Sequence, residues 1–223
     1  MRKVKKKIET KYLVRRILCL GILVTGFFSI ISMGRISGKK VSDKVAKIKN
    51  SYNIDISLEE LKTIYNSLNI IKTDFKWDGE LEKGNKPNRV ILHHSAIENM
   101  TIEDIHNKHA ENEWAGIGYH YFIGKDGKIY QGREENIIGA HVKKNNINTL
   151  GICLEGNFEN GEPTSKQNGS LLELLRYLFL KYDISTLEGH RDNGKTLCPG
   201  EKLKVSQIKN NLDLLMGKEM NIK

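Results

Sequence analysis

Between residues 88 and 216, short β-rich runs alternate with helix-like segments, and this alternation most constrains the fold. The run 149–155 is apolar at most positions, which indicates a strand near the centre of a sheet. The runs 89–93 and 186–189 are also short and β-rich. Alternating strands and helices pack as layers, with the helices covering the sheet. We therefore predict the α/β class, with a mixed central β-sheet flanked by helices.

Local signals place the other elements of this layered domain. Three segments open with Ser or Thr followed three residues later by an acid or amide, the pattern of a helix capping box. Asp126-Gly127 predicts a hairpin turn joining 119–124 to 128–131, because glycine supplies the positive φ that such turns need. The predicted helices are 57–71, 101–114, 164–182 and 205–216.

The positive charge of the chain is concentrated at its N-terminus. The formal net charge is +9, but residues 1–50 hold 14 Lys and Arg against 2 Asp and Glu. The remainder holds 22 basic and 25 acidic residues and is mildly acidic. A nucleic-acid-binding domain carries a basic patch of its own. The charge distribution therefore argues against DNA or RNA as a partner.

An uncharged apolar run, Ile17 to Met33, follows the basic segment 1–16. At ~1.5 Å per residue its helix would span roughly 25 Å, near the short limit for crossing a bilayer. Positive charge before the run would hold the N-terminus in the cytoplasm and export the rest. We predict a single-pass anchor at 17–34 in the cell membrane, with the following domain outside the cytoplasm. A cleaved signal peptide, giving a secreted protein, is the alternative.

The segment between the apolar run and the domain is predominantly polar. Residues 35–56 are Lys-rich, and residues 78–88 are rich in Gly, Asn and Lys. We interpret 35–87 as a linker with a juxtamembrane helix, which either forms a stalk or packs on the main domain. Residues 88–223 are then the main domain, and we expect the protein to be a monomer.

Two imidazoles and one thiol occupy positions from which they could converge on a zinc ion. His93 ends one predicted strand, His190 follows another, and Cys198 comes eight residues later. Zinc takes histidine and cysteine ligands, and three protein ligands leave the fourth position to water in catalytic sites. The set therefore indicates a hydrolytic zinc enzyme. From the residues alone, the alternative is two satisfied core histidines and a small buried cysteine.

Eight short motifs follow one another from about Asn88 to Leu203. They are Val90–Ser95, Gly118–Ile123, Asp126-Gly127, Gly132-Arg133, Gly139–His141, Asn148–Ile152, Gly189–Arg191 and Cys198–Gly200. In this order they resemble the zinc N-acetylmuramoyl-L-alanine amidases, a type-2 amidase family that includes phage amidases and animal peptidoglycan recognition proteins. The resemblance implies hydrolysis of the amide between N-acetylmuramic acid and L-alanine, with Zn²⁺ as cofactor and peptidoglycan or muropeptides as partner.

The resemblance also implies roles for single residues. His93, His190 and Cys198 match the zinc ligands, and Tyr119 matches the active-site tyrosine. Thr196 takes a place held by lysine in phage members and by threonine in catalytic recognition proteins. Tyr119 and Thr196 would donate hydrogen bonds to the developing oxyanion or to the water. The retained cysteine favours an enzyme; the alternatives are a non-hydrolytic peptidoglycan receptor and an amidase acting on soluble muropeptides.

Three further residues are predicted to bind substrate. His141 matches a position that lines the family's groove, where it would either contact substrate or support the metal ligands. Trp114 and Arg133 match a tryptophan and an arginine that accompany diaminopimelate stems in recognition proteins. Glu113 stands where that pattern has glycine, so the stem preference stays open.

The remaining histidines and Cys153 carry weaker signals. His94 alternates with His93 along the same strand and is expected to be structural. His120 is expected in the core or at the surface, and Cys153 in the core of an apolar strand. His109 matches a histidine that precedes the Gly-Tyr motif of the family, and packing of its helix is the alternative role.

Overall fold

A computed structural model describes Tyr52 and residues 54–220, without the side chains of 218–220. The strands are β1 (Ile71–Lys72), β2 (Arg89–His94), β3 (Tyr121–Ile123), β4 (Ile129–Gln131), β5 (Thr149–Leu154) and β6 (Thr186–Gly189). They form one sheet in the order β1-β4-β3-β5-β2-β6. Strands β3 and β4 are antiparallel, and every other neighbouring pair is parallel. The predicted mixed sheet is confirmed.

Helices flank this sheet, and three of them begin where the capping signals predicted. Ser57, Thr101 and Thr164 each accept a hydrogen bond from the backbone of the residue three positions on, whose side chain returns a bond. A short 3₁₀ helix, His190–Asn193, directly follows β6. The α-helices are α1 (Leu58–Ser67), α2 (Ile102–Glu111), α3 (Ser165–Lys181) and α4 (Val205–Met220).

The two faces of the sheet bury different side chains. Successive residues of a strand point to opposite faces, so His93 and His94 are divided between them. His93 is in register with Cys153 of β5, which packs with α2 residues. The opposite face holds the larger core against α3 and α4, including Leu154 of β5. Because all six β5 residues are buried between β3 and β2, the predicted central strand is confirmed.

The segment before Asn88 belongs to the same compact body as the sheet. Ile56, Leu61 and Leu68 are buried in the larger core. Farther along, Phe75 stacks on His106 of α2 with ring centroids 4.1 Å apart. The boundary predicted at residue 88 is therefore not a boundary in the structure, and α1 packs on the domain. The sequence left open whether this helix forms a stalk or packs on the main domain, and the structure has it packed on the domain.

The predicted anchor, 17–34, lies outside the described residues. Among the residues that are described, none of the helices combines the length and apolar character needed to cross a membrane.

Two helices end earlier than their sequence patterns predict. Helix α1 stops at Ser67, and Asn69 adopts a left-handed φ of 47°, after which β1 joins the sheet beside β4. A two-residue strand carries no periodicity, so the sequence could not reveal β1. Helix α2 stops at Glu111 because Glu113 has a φ of 63°, outside the helical region. The chain therefore turns before Trp114.

Candidate active site

His93, His190 and Cys198 converge at one edge of the sheet. Strands β2 and β6 are parallel neighbours, so the residues at their carboxyl ends meet on the same side. One ligand atom from each of the three side chains lies within 4.8 Å of the other two. The rings of His93 and His190 have centroids 4.7 Å apart. The set predicted from the sequence is therefore brought together.

The spacing of these atoms fits a zinc ion. Nδ1 of His93 lies 3.7 Å from Sγ of Cys198. Two ligands bound to zinc at about 2.0 and 2.3 Å and separated by a tetrahedral angle would lie roughly 3.6 Å apart. Two imidazoles and a thiolate also suit zinc chemically. These three residues could hold the metal and leave one coordination position for water or substrate.

The loop that carries Cys198 is fixed by backbone and arginine hydrogen bonds. The backbone N–H of Arg191 donates to the Cys198 carbonyl at 2.8 Å. Nη2 of the Arg191 side chain donates to the Leu197 carbonyl, also at 2.8 Å. Burial raises the pKa of the Cys198 thiol to about 11, an effect opposed by the backbone N–H of His94 and the charge of Arg191. A bound cation would favour the thiolate further.

His93 is fully buried, and His141 lies directly behind it. Nε2 of His93 is 3.0 Å from Nδ1 of His141, on the side of the ring away from Cys198. Burial is the main cause that lowers the pKa of both imidazoles well below the usual value. Only 7% of His141 is exposed. Of the two roles expected for His141, contact with substrate or support of a metal ligand, this buried position behind His93 favours the second.

Tyr119 stands beside the metal cluster at the close approach of two chain segments. A Cβ on Gly118 would lie 1.9 Å from the carbonyl oxygen of Ala140, so only glycine fits before the tyrosine. The Tyr119 ring centroid is 4.9 Å from that of His93. Burial, with the nearby Cys153 and Cys198, raises the pKa of Tyr119 well above its usual value. The phenol therefore keeps its hydrogen and can donate it.

Thr196 is tied to the cysteine ligand. The backbone N–H of Cys198 donates to Oγ1 of Thr196 at 3.2 Å, and the Thr196 N–H donates to the Gly194 carbonyl at 3.0 Å. The hydroxyl acts as an acceptor in the first bond. Its own hydrogen can still be directed toward a substrate at the metal cluster.

A cleft of about 180 Å³ adjoins Tyr119. Trp114 is 47% exposed on this cleft, as expected for a substrate-contacting aromatic, and lies edge-on to His109 at 4.9 Å. Nδ1 of His109 accepts from the Gly118 N–H at 3.0 Å, which fixes the ring. Burial, followed by the charge of Arg133, lowers the pKa of His109 to about 4. The cleft lining also includes Ser95, Met100, Lys108 and Asn112.

Arg133, predicted to bind substrate, is not among the residues that line this cleft. It is 5% exposed. Its three guanidinium nitrogens donate to backbone carbonyls: Nε to Ile117 at 2.8 Å, Nη1 to Ile138 at 2.7 Å and Nη2 to Trp114 at 2.9 Å. A planar fork of donors suits such a set of fixed acceptors. Arg133 therefore links the backbone at Trp114, Ile117 and Ile138 and stabilises the chain behind the cleft.

The structural predictions for His94 and His120 are confirmed. Nδ1 of His94 accepts from the Phe158 N–H at 3.1 Å. His120 is fully buried and bonds backbone groups through both ring nitrogens, Nδ1 with the Gly151 N–H and Nε2 with the Ile137 carbonyl.

Two residues near the site carried no functional signal in the sequence. Cys153 was assigned to the core, where it is fully buried, but it is also one of the groups that raise the pKa of Tyr119. Thr149 opens a strand, yet its hydroxyl lies 3.2 Å from Nε2 of His141. Each interaction joins a β5 residue to a side chain outside the strands, so no local sequence pattern reveals it.

Comparison with known proteins points to one family. The family model described as N-acetylmuramoyl-L-alanine amidase matches residues 83–201. The endolysin of Enterobacteria phage T3 is 35% identical over 131 residues, which are 55% of this chain and 87% of the endolysin. Peptidoglycan-recognition protein SC2 of Drosophila melanogaster is 33% identical over 125 residues, which are 51% of this chain and 68% of that protein.

Solved structures give the same result. The endolysin N-acetylmuramoyl-L-alanine amidase LysCS from Clostridium intestinale URNW superposes with a TM-score of 0.64 at 40% identity, covering 65% of this chain and 95% of LysCS. Drosophila peptidoglycan recognition protein SD superposes with a TM-score of 0.58 at 28% identity, covering 63% of this chain and 92% of the other. The similarity thus covers nearly the full length of each of the two solved structures.

Proposed function

The chain belongs to the N-acetylmuramoyl-L-alanine amidase family, and we propose that it works with a zinc ion held by His93, His190 and Cys198. It is a peptidoglycan hydrolase that cleaves the amide between N-acetylmuramic acid and the L-alanine of the stem peptide. The observation that carries the zinc proposal is the convergence of one atom from each of these three side chains within 4.8 Å. A closed structural site would need a fourth protein ligand.

The chain's own residues supply binding and hydrogen bonds around that ion. Zinc, when bound, lowers the pKa of water and polarises a carbonyl, and both effects assist amide hydrolysis. Tyr119 and Thr196 donate toward the oxygen on which negative charge develops. Tyr119 suits this role because its raised pKa keeps the phenol protonated. Thr196 suits it because its acceptor bond from the Cys198 N–H holds Oγ1 next to a ligand.

We propose that the hydroxyl group of Thr196, rather than the ammonium group of a lysine, takes part in the proton transfer. Phage members of the family carry lysine where this chain has Thr196. Lys195, the neighbouring lysine, has an exposed side chain. A hydrogen-bonded relay through water and Thr196 needs no further charged group.

The cleft beside Tyr119 is the proposed site of the stem peptide. It is lined by Tyr119, whose ring lies 4.9 Å from that of His93, and it offers the exposed face of Trp114 together with polar groups such as Lys108 and Asn112. A solved structure of Drosophila PGRP-LB contains tracheal cytotoxin, so a protein similar to this chain binds such a ligand. Because Arg133 is buried, the pattern that would predict a diaminopimelate stem rests on Trp114 alone.

The protein is proposed to act outside the cytoplasm, anchored by residues 17–34. The support is the uncharged run after a strongly basic segment. Membrane fractionation and N-terminal sequencing of the mature protein test this location. An N-terminus that begins after residue 34 would indicate a cleaved signal peptide and a secreted enzyme.

The activity test uses purified, zinc-loaded protein with soluble muropeptides and with peptidoglycan polymer, each carrying lysine or diaminopimelate stems. Mass spectrometry should detect free stem peptide, and Cys198→Ala should abolish its release together with zinc binding. Cys153→Ala is the matched control, because that thiol lies outside the ligand set and its variant should still bind one zinc ion. Bound but intact muropeptides would instead support a receptor.

A further inference from the structure

A continuous line of buried polar groups runs away from the metal cluster behind His93. Nε2 of His93 is 3.0 Å from Nδ1 of His141, and Nε2 of His141 is 3.2 Å from Oγ1 of Thr149. Oγ1 of Thr149 in turn lies 2.7 Å from the carbonyl oxygen of Asn146 and 3.4 Å from that of Asn145. His93 and Thr149 are fully buried, and His141 is nearly so.

The last member of this line fixes the direction of every hydrogen bond in it. A backbone carbonyl can only accept, so the single hydrogen of the Thr149 hydroxyl goes to Asn146. Thr149 Oγ1 must then accept from Nε2–H of His141. In an imidazole that carries a single hydrogen, the nitrogen that does not donate is an acceptor. Nδ1 of His141 is therefore an acceptor, and His93 donates to it through Nε2–H.

This direction leaves Nδ1 of His93 without a hydrogen. Nδ1 is the atom that faces Sγ of Cys198 at 3.7 Å, where a metal ligand needs its lone pair. In the reverse direction, Thr149 would donate to His141 across 3.2 Å and give up the shorter, 2.7 Å bond to Asn146. His93 would then carry its hydrogen on Nδ1, and that hydrogen would block the metal.

The protein makes room for this arrangement at two glycines and anchors it with one asparagine. A Cβ on Gly151 would come within 2.6 Å of Cγ of His141, and a Cβ on Gly139 within 2.5 Å of its Cδ2. Oδ1 of Asn146 accepts from the backbone N–H groups of His141 and Val142 at 2.9 and 2.8 Å. The imidazole of His141 thus fills a space that is closed around it.

We propose that Thr149 and His141 are positioning residues that hold His93 as the Nε2–H tautomer, so that its bare Nδ1 faces the metal. The inference rests on the proposed function, because it concerns the zinc ion assigned to His93. Partners of metal-binding histidines that fix the tautomer commonly change metal affinity by about 10–100-fold when removed.

The test compares Thr149→Val with Thr149→Ser. Valine has nearly the same shape but cannot accept the hydrogen of His141, whereas serine keeps the hydroxyl. Zinc affinity, measured by competition with a chromophoric chelator, should fall about 10-fold for the valine variant and stay within about twofold for the serine variant. Circular dichroism of both variants would check that they are folded.

A second measurement needs no variant. In zinc-free full-length protein labelled with ¹⁵N-histidine, long-range ¹H–¹⁵N spectra should show both His93 and His141 protonated on Nε2. Protonation of either ring on Nδ1 would overturn the inference, as would equal zinc affinity of folded wild type and Thr149→Val. Failure of the wild type to bind zinc at all would instead refute the proposed function, and the tautomers could still be read.

Discussion

The backbone N–H of Cys198 donates to Oγ1 of Thr196 at 3.2 Å, which joins a predicted catalytic hydroxyl to a predicted metal ligand. Thr196→Val keeps the shape but removes the oxygen. We expect kcat on a muropeptide substrate to fall by about 10²-fold, the size of effect seen when one donor to a developing oxyanion is lost. Steady-state kinetics with zinc-saturated protein measure the change.

Two variants serve as controls for this hydroxyl. Thr196→Ser retains Oγ1 and should keep most of the activity. Lys195→Ala should stay within about twofold of wild type, since its exposed side chain has no assigned part in the reaction. A large loss in Lys195→Ala with a small loss in Thr196→Val would reassign proton transfer to the lysine.

Tyr119→Phe removes only the phenolic oxygen beside the cluster. The ring packing against His93 is preserved, so zinc binding should be unchanged. We expect kcat to fall by about 10²–10³-fold with a small change in KM, because the lost bond is strongest when charge develops. An increase in KM at constant kcat would show that Tyr119 only binds the substrate.

Arg133→Met should affect folding rather than substrate choice. It leaves the carbonyls of Ile117, Ile138 and Trp114 without their donor in a buried place, and we expect a loss of about 3 kcal/mol in the free energy of unfolding. Urea denaturation measures this loss. Lys108→Met, at the exposed rim of the cleft, should change stability by at most about 0.5 kcal/mol. A shift in stem preference without a loss of stability in Arg133→Met would restore the substrate-binding role.

Stability should fall with acid partly because of His109. The pKa of His109 is about 4 in the folded protein, whereas that of a histidine in the unfolded chain is ~6.5. Between these values the unfolded state binds a proton that the folded state does not, so lowering the pH through this window favours unfolding. His109→Asn keeps an acceptor for the Gly118 N–H and cannot titrate. The variant should lose less unfolding free energy than wild type between pH 7 and pH 5; equal losses would contradict the assignment.

Removal of the segment before Asn88 should cost the domain its fold. Ile56, Leu61 and Leu68 are buried in the main core, and each fully buried aliphatic side chain contributes about 1.5–3 kcal/mol. A chain of residues 52–223 should unfold cooperatively in urea. A chain of residues 88–223 should lose about 5 kcal/mol or more, comparable to the whole stability of a domain. Equal midpoints for the two chains would show that the segment is dispensable.

Local signals predicted the helix starts and the hairpin, because a capping box or an Asp-Gly turn depends only on neighbouring residues. The approach of His93 to His190 was predictable for a similar reason, since the two residues mark the ends of two strands. The role of Arg133 was not, because three backbone carbonyls from separate segments meet its guanidinium only in the folded chain. The partners of His141 were not predictable either, because they are set by the packing of a loop against β5.

The empty space that Gly151 leaves in the middle of β5 has a consequence for how the protein assembles. An imidazole from the preceding loop fills it, and that imidazole bonds a ligand from the neighbouring strand. Of the three proposed zinc ligands, His93 belongs to β2. The other two, His190 and Cys198, lie more than ninety residues later in the chain. No fragment of the chain can offer this set alone. Tight binding of one zinc ion would therefore indicate that β2 and the segment carrying His190 and Cys198 have come together in the folded protein.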